Sequence, residues 1–153
     1  MPYVPPSTVL GRLSEFTADT VVDAIGEEST FVRAQVGSMS STLGFLAREV
    51  EHRDESILER RRALLDALDE LEGVGGAAAD AFVADQRERV EAVEPVIGNA
   101  DDVETAVRET LGELQRAVDD GTFGAETPEA RARLYELFEH RVESQLHVLG
   151  RTE

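Results

Sequence analysis

Val32, Val36, Met39, Leu43, Leu46 and Val50 step along the chain by 4, 3, 4, 3 and 4 residues. Only an α-helix brings side chains at that spacing onto one face. The same 3/4 rhythm returns elsewhere, whereas apolar and polar residues never alternate over a useful length, so no strand is expected. The predicted fold is all-α: an antiparallel helical bundle of about five to six helices.

Punctuation residues divide the rhythm into segments. Residues 1–6 read as an extended, proline-fixed arm, and Ser7 as an N-cap. The first helix carries Val9, Leu10, Leu13, Phe16, Thr20, Val21 and Ala24, and Gly26 stops it. The second runs from near Ser29 to His52 or Arg53. Ser56-Ile57-Leu58-Glu59 matches a capping box and opens a third helix, predicted to fold back on the second as a hairpin. Gly73-Val74-Gly75-Gly76 ends it; with no lysine and no preceding strand, this cluster reads as a linker and not a phosphate loop. A fourth helix over 77–93 carries Phe82, Val83, Gln86, Val90 and Val93, before Pro95 and Gly98. The fifth begins near Asp101 and Glu104, with the stripe Val103, Val107, Leu111, Leu114 and Val118, and stops at Gly121. Thr127-Pro128 starts the sixth. A single domain over 7–150 is expected, with residues 73–100 as an insertion, so that helices one, two, three, five and six hold the core and the fourth flanks it.

The surface is set by charge. Of 153 residues 32 are acidic and 15 basic, a formal net charge of -17, and every basic residue is arginine. A surface of that kind repels itself unless salt screens it, and the composition points to a salt-rich, halophilic cytoplasm. No basic stripe is available to neutralise phosphates, so nucleic-acid binding is not expected. The Arg60-Arg61-Arg62 run sits among Glu55, Glu59 and Asp66 and reads as a solvated helix face. There is no cysteine, which excludes disulfides and thiolate chemistry. The start shows no basic segment leading into an apolar run, and no apolar run reaches the ~20 residues of a membrane helix. A soluble cytoplasmic protein without membrane partners is expected.

Several segments are similar to a family of small helical bacterial and archaeal proteins of unknown function, DUF6285. Pro5-Pro6-Ser7-Thr8-Val9-Leu10 resembles its proline-plus-threonine helix start. Phe31 to Val36 and Leu46-Ala47-Arg48-Glu49-Val50-Glu51 resemble its second helix, and Leu111 to Val118 followed by Gly121 resembles a later helix and stop. Residues 5–60 and 103–149 are covered. The family's aspartate-asparagine-proline ending is replaced by Leu146-His147-Val148-Leu149-Gly150-Arg151. The resemblance implies an accessory role beside acyl-CoA-handling or phosphotransferase-like enzymes, and it supplies no catalytic residues.

Two constellations invite a functional reading. Gly37, Ser41, Gly44 and Arg48 share one face of the second helix, opposite the apolar stripe. Glycine inside a helix costs about 1 kcal/mol relative to alanine, so close packing is expected there, against a second copy or a partner's helix. A pocket with Arg33 or Arg48 at its mouth is the other reading of that face. His140 and His147 lie seven apart with Glu143 between them, and His52 ends another helix. Bundle enzymes that hold a divalent transition metal use such residues, although only one Glu-x-x-His spacing (Glu49 and His52) and no His-x-x-x-His pair is present. Ser38, Ser40, Ser41 and Ser144 lack a nucleophile-elbow context. The leading expectation is a non-catalytic, homodimeric interaction module without a cofactor; the alternatives are a three-histidine metal enzyme and a small-molecule sensor.

Overall fold

In a computed structural model of the chain, residues 3–148 are described. Met1 and Pro2 of the expected arm, and the Leu149-Gly150-Arg151 part of the ending, lie outside them. Every regular element among the described residues is helical. Helix α1 is Pro6–Phe16, continued by a π-helical turn at Thr17–Val21 and one further turn to Ala24. Then come α2 (Thr30–Leu71), α3 (Ala77–Glu91), α4 (Ala100–Asp119) and α5 (Thr127–Val148), with 3-10 turns before the last two. The fold is an all-α helical bundle, with five helices.

Two boundaries differ from expectation. Pro5 is the N-cap and Pro6 the first helical residue, so α1 starts two residues before the position that a Ser7 N-cap predicts, without a side-chain cap. More consequentially, the predicted second and third helices are one continuous helix of 42 residues. No hairpin forms because residues 51–59 contain neither glycine nor proline, and all of them tolerate a helix interior. A capping box requires a non-helical N-cap. Ser56 is helical instead, and its hydroxyl meets the Ser144 hydroxyl of α5 at 2.7 Å.

The chain falls into two compact units. The first comprises Met1–Arg53 with Leu146–Glu153; the second is Asp54–Gln145. The second unit holds the hydrophobic core. Ile57, Leu64, Leu68 and Leu71 of α2 meet Val83 and Val90 of α3, Val103, Leu114 and Val118 of α4, and Phe123, all essentially sealed from solvent. The predicted flank therefore becomes a core helix: Ala79, Val83, Gln86 and Val90, spaced 4, 3 and 4, are the buried face of α3. Its entry turn is equally specific. Gly73, Gly75 and Gly76 all have positive φ, and the Gly73 N–H donates to Asp80 at 2.8 Å. At the end of α4, Gly121 N–H reaches Val118 O and Thr122 N–H reaches Ala117 O, a Schellman stop of the kind a glycine there predicts. Ion pairs join the surfaces of this unit: Arg87 to Asp69 and Glu72, Arg131 to Asp119, and Arg133 to Glu70 and Glu136. The Glu136 hydrogen bond, then the Glu70 charge, raise the Arg133 pKa above its ordinary value.

One buried group works against this core. Thr110 is fully buried and its hydroxyl has no hydrogen-bond partner among the described residues. An unpaired buried hydroxyl costs about 1–2 kcal/mol, and valine has the same shape without it. Thr110→Val is expected to raise the urea midpoint by a stability gain of about 1 kcal/mol. An unchanged or lower midpoint would mean that the hydroxyl is satisfied.

Candidate functional site

In the first unit α1 lies against α2 through small and polar residues. Ser14 Oγ donates to Ser40 O at 2.8 Å, and Ser40 Oγ donates back to Ser14 O at 2.9 Å. Thr17, Ser40 and Ala47 are the buried residues of this pairing. A Cβ at Gly44 would sit 3.1 Å from Ser14 Oγ, so the glycine permits the approach. At about 100° per residue, positions 40, 44 and 47 form one line with position 37 beside it. The expected line of Gly37, Ser41, Gly44 and Arg48 is thus placed in part. Gly44 meets α1 and Gly37 is half-buried, while Arg48 is exposed, and exposed Ser41 bonds back to Gly37 O at 3.2 Å. Nothing in the structure explains the glycine at 37, where a Cβ would meet no atom within 4 Å.

That geometry leaves the heptad-like stripe of α2 uncovered, about a quarter-turn away from α1. Val32, Met39, Leu46 and Val50 are 48%, 51%, 40% and 49% exposed. On α1, Val9, Leu13 and Phe16 are exposed as well. Much of the stripes predicted to build the core therefore faces solvent, while Leu10, Val21, Val36 and Leu43 are half-buried. The reason is that Ser40, Gly44 and Ala47 admit α1 closely along a different line. The sequence around these stripes departs from the rest of the chain. Residues 1–14 and 29–48 contain no acidic residue at all, in a protein with 32 of them.

The second unit contains a cavity of about 90 Å³ between α2, α4 and α5. Ile57, Leu64, Val107, Leu111 and Leu137 give it apolar walls. Its polar lining comes from all three helices: Arg60, then Glu104 and Arg108, then His140 and Arg141. Arg60 is not the solvated residue predicted from the arginine run. Its side chain is 17% exposed, pairs with Glu104 at 3.6 Å and bonds Ser56 O at 3.2 Å. Sequence reasoning missed this constellation, because its arginines stand on three helices far apart in the chain.

No family model, curated protein or solved structure matches this chain.

The histidines divide between the units. His52 and His147 belong to the first, with ring centroids 6.5 Å apart and planes tilted by 59°. His140 belongs to the second and lines the cavity, and Glu143 is exposed. Among the described residues no group of three or more histidine, aspartate or glutamate side chains is placed to hold a metal ion. No helix among them is long and apolar enough to cross a membrane. Two features stand out: an exposed apolar face in the first unit, acid-free over residues 1–14 and 29–48, and a cation-rich cavity in the second.

Proposed function

We propose that the protein is a non-catalytic interaction module that works as a homodimer, joined through the α1–α2 face of its first unit. The uncovered stripe of Val32, Met39, Leu46 and Val50 carries this reading. Exposed apolar side chains aligned on one face are the kind of surface at which proteins associate. Two arguments favour a second copy as the occupant. Alternating steps of 3 and 4 are the seam of a two-helix coil, which is self-complementary, and symmetric pairing is the commonest oligomer. Charge points the same way. Residues 54–145 hold 24 acids and 10 arginines, a formal -14, while the remaining residues hold 8 acids and 5 arginines, a formal -3. Two copies therefore approach at lowest electrostatic cost through the first unit. An accessory role beside an acyl-CoA-handling or phosphotransferase-like enzyme, as kinship to the DUF6285 family would imply, would present the dimer to that enzyme.

Sedimentation equilibrium in 2 M KCl tests the proposal. The full chain is expected at twice its 16.7 kDa mass. Leu46→Asp places a charge in the seam and is expected to weaken association at least about a hundredfold. Tyr135→Asp, which removes an exposed apolar residue of the second unit, is expected to leave the dimer intact. Both sites are on the surface, so helical circular dichroism should be unchanged. A monomeric parent, or a Leu46→Asp variant that dimerises like the parent, overturns the proposal.

A further inference from the structure

The cavity of the second unit reverses the charge balance of the protein. Across the chain, acids outnumber arginines 32 to 15. Around this one cavity three arginines and a histidine face a single glutamate. Arg60 and Glu104 pair with each other at 3.6 Å. Arg108 and Arg141 make no ion pair or hydrogen bond among the described residues, although acidic side chains are abundant over the rest of the surface. Two uncommitted guanidinium groups beside one opening are a place where an anion is attracted and can be held by paired N–H donors. The interior adds a second requirement. The apolar lining is Ile57, Leu64, Val107, Leu111 and Leu137, and the first four of these are buried. A bare inorganic anion would leave those walls unused, and a neutral apolar molecule would leave the arginines unused.

We infer that this cavity binds a small amphipathic monocarboxylate, with its carboxylate between Arg108 and Arg141 and its short aliphatic chain among Ile57, Leu64, Val107 and Leu111. Its volume of about 90 Å³ is below that of a pocket that holds one benzene ring, which sets the chain at about three to five carbons. His140 also lines the cavity and can offer a ring N–H. This site is independent of the dimer face, because every residue of it belongs to the second unit.

Titration calorimetry on the full chain, at constant ionic strength, tests it with acetate, butyrate, hexanoate and octanoate. Butyrate is expected to bind with a dissociation constant of about 1 mM or below. From acetate to butyrate the affinity should rise about fourfold per methylene, and it should fall again once the chain outgrows the cavity. Butan-1-ol and sulfate each supply one half of the recognition and are expected to bind at least about tenfold more weakly. Arg141→Gln should weaken butyrate about tenfold or more, and so should Arg108→Gln. Ala63→Leu, which fills the lining from α2, should abolish binding while both glutamine variants keep the parent's helical spectrum. Butanol or sulfate binding as well as butyrate overturns the proposal, as does a butyrate affinity unaffected by Arg108→Gln and Arg141→Gln.

Discussion

Phe123→Ala is expected to lower the stability of the second unit by about 3–5 kcal/mol, the largest single-residue effect in the chain. Phe123 is fully buried, though it sits in the connection between α4 and α5 and not on a helix. Its ring meets Phe82 edge-on at 6.3 Å, an arrangement that adds to simple burial. Its backbone forms the other half of the contact. A Cβ at Gly75 would lie 2.7 Å from Phe123 Cα and 2.8 Å from Phe123 O, where no flexible side chain can move aside. Gly75→Ala should therefore combine a backbone clash with the strain of φ +92, about 2–4 kcal/mol together. Gly73→Ala has φ +83 but open space, so it isolates the strain alone and is expected to cost less by about 2 kcal/mol. Each kilocalorie shifts the melting temperature of a unit this size by roughly 4–8 °C. Phe123→Ala should thus melt more than about 12 °C below the parent. Equal melting of the Gly75 and Gly73 variants would show that the turn is free to move away from Phe123.

The helix just before Phe123 shows where the sequence was legible. The α4 stripe of Val103, Val107, Leu111, Leu114 and Val118 was evident from spacing, and all five are buried. Gly121 marked the end of the same helix. In both cases the signal lies within one helix turn, and tertiary structure agrees with it. The α2 stripe was just as regular, yet four of its six residues lie in the open. Periodicity states which residues share a face and says nothing about what covers it; Ser40, Gly44 and Ala47 decided that question by letting α1 approach elsewhere. Ser56-Ile57-Leu58-Glu59 misled for a related reason, since the same letters serve as a cap or as helix interior, and only a breaker before them would have separated the two. Val83 and Val90 were placed on a face correctly, but the helix carrying them was demoted because alanine and charge surround them. The cavity was illegible altogether. Arg60, Arg108 and Arg141 converge only after three helices pack, and no spacing in the sequence encodes that.

Charge gives the other large effect. Residues 54–145 carry a formal -14. Treated as a charged sphere that expands on unfolding, such a unit gains roughly 4 kcal/mol of stability when the Debye length falls from about 10 Å at 0.1 M salt to about 3 Å at 1 M. The melting temperature should rise by more than about 15 °C over that range. The shape of the rise matters as much as its size. Screening is nearly complete once the Debye length is shorter than the spacing between charges, so the curve should flatten near 1 M KCl. Salts that act by exclusion from the protein surface keep stabilising beyond that point. A sulfate series at matched ionic strength should therefore coincide with chloride below about 0.5 M and exceed it above. A melting temperature that is flat between 0.1 and 1 M KCl would remove the argument that the acidic surface opposes folding. It would also weaken the electrostatic reason for placing the proposed dimer contact on the less acidic first unit, because two copies would then meet as easily through any other surface.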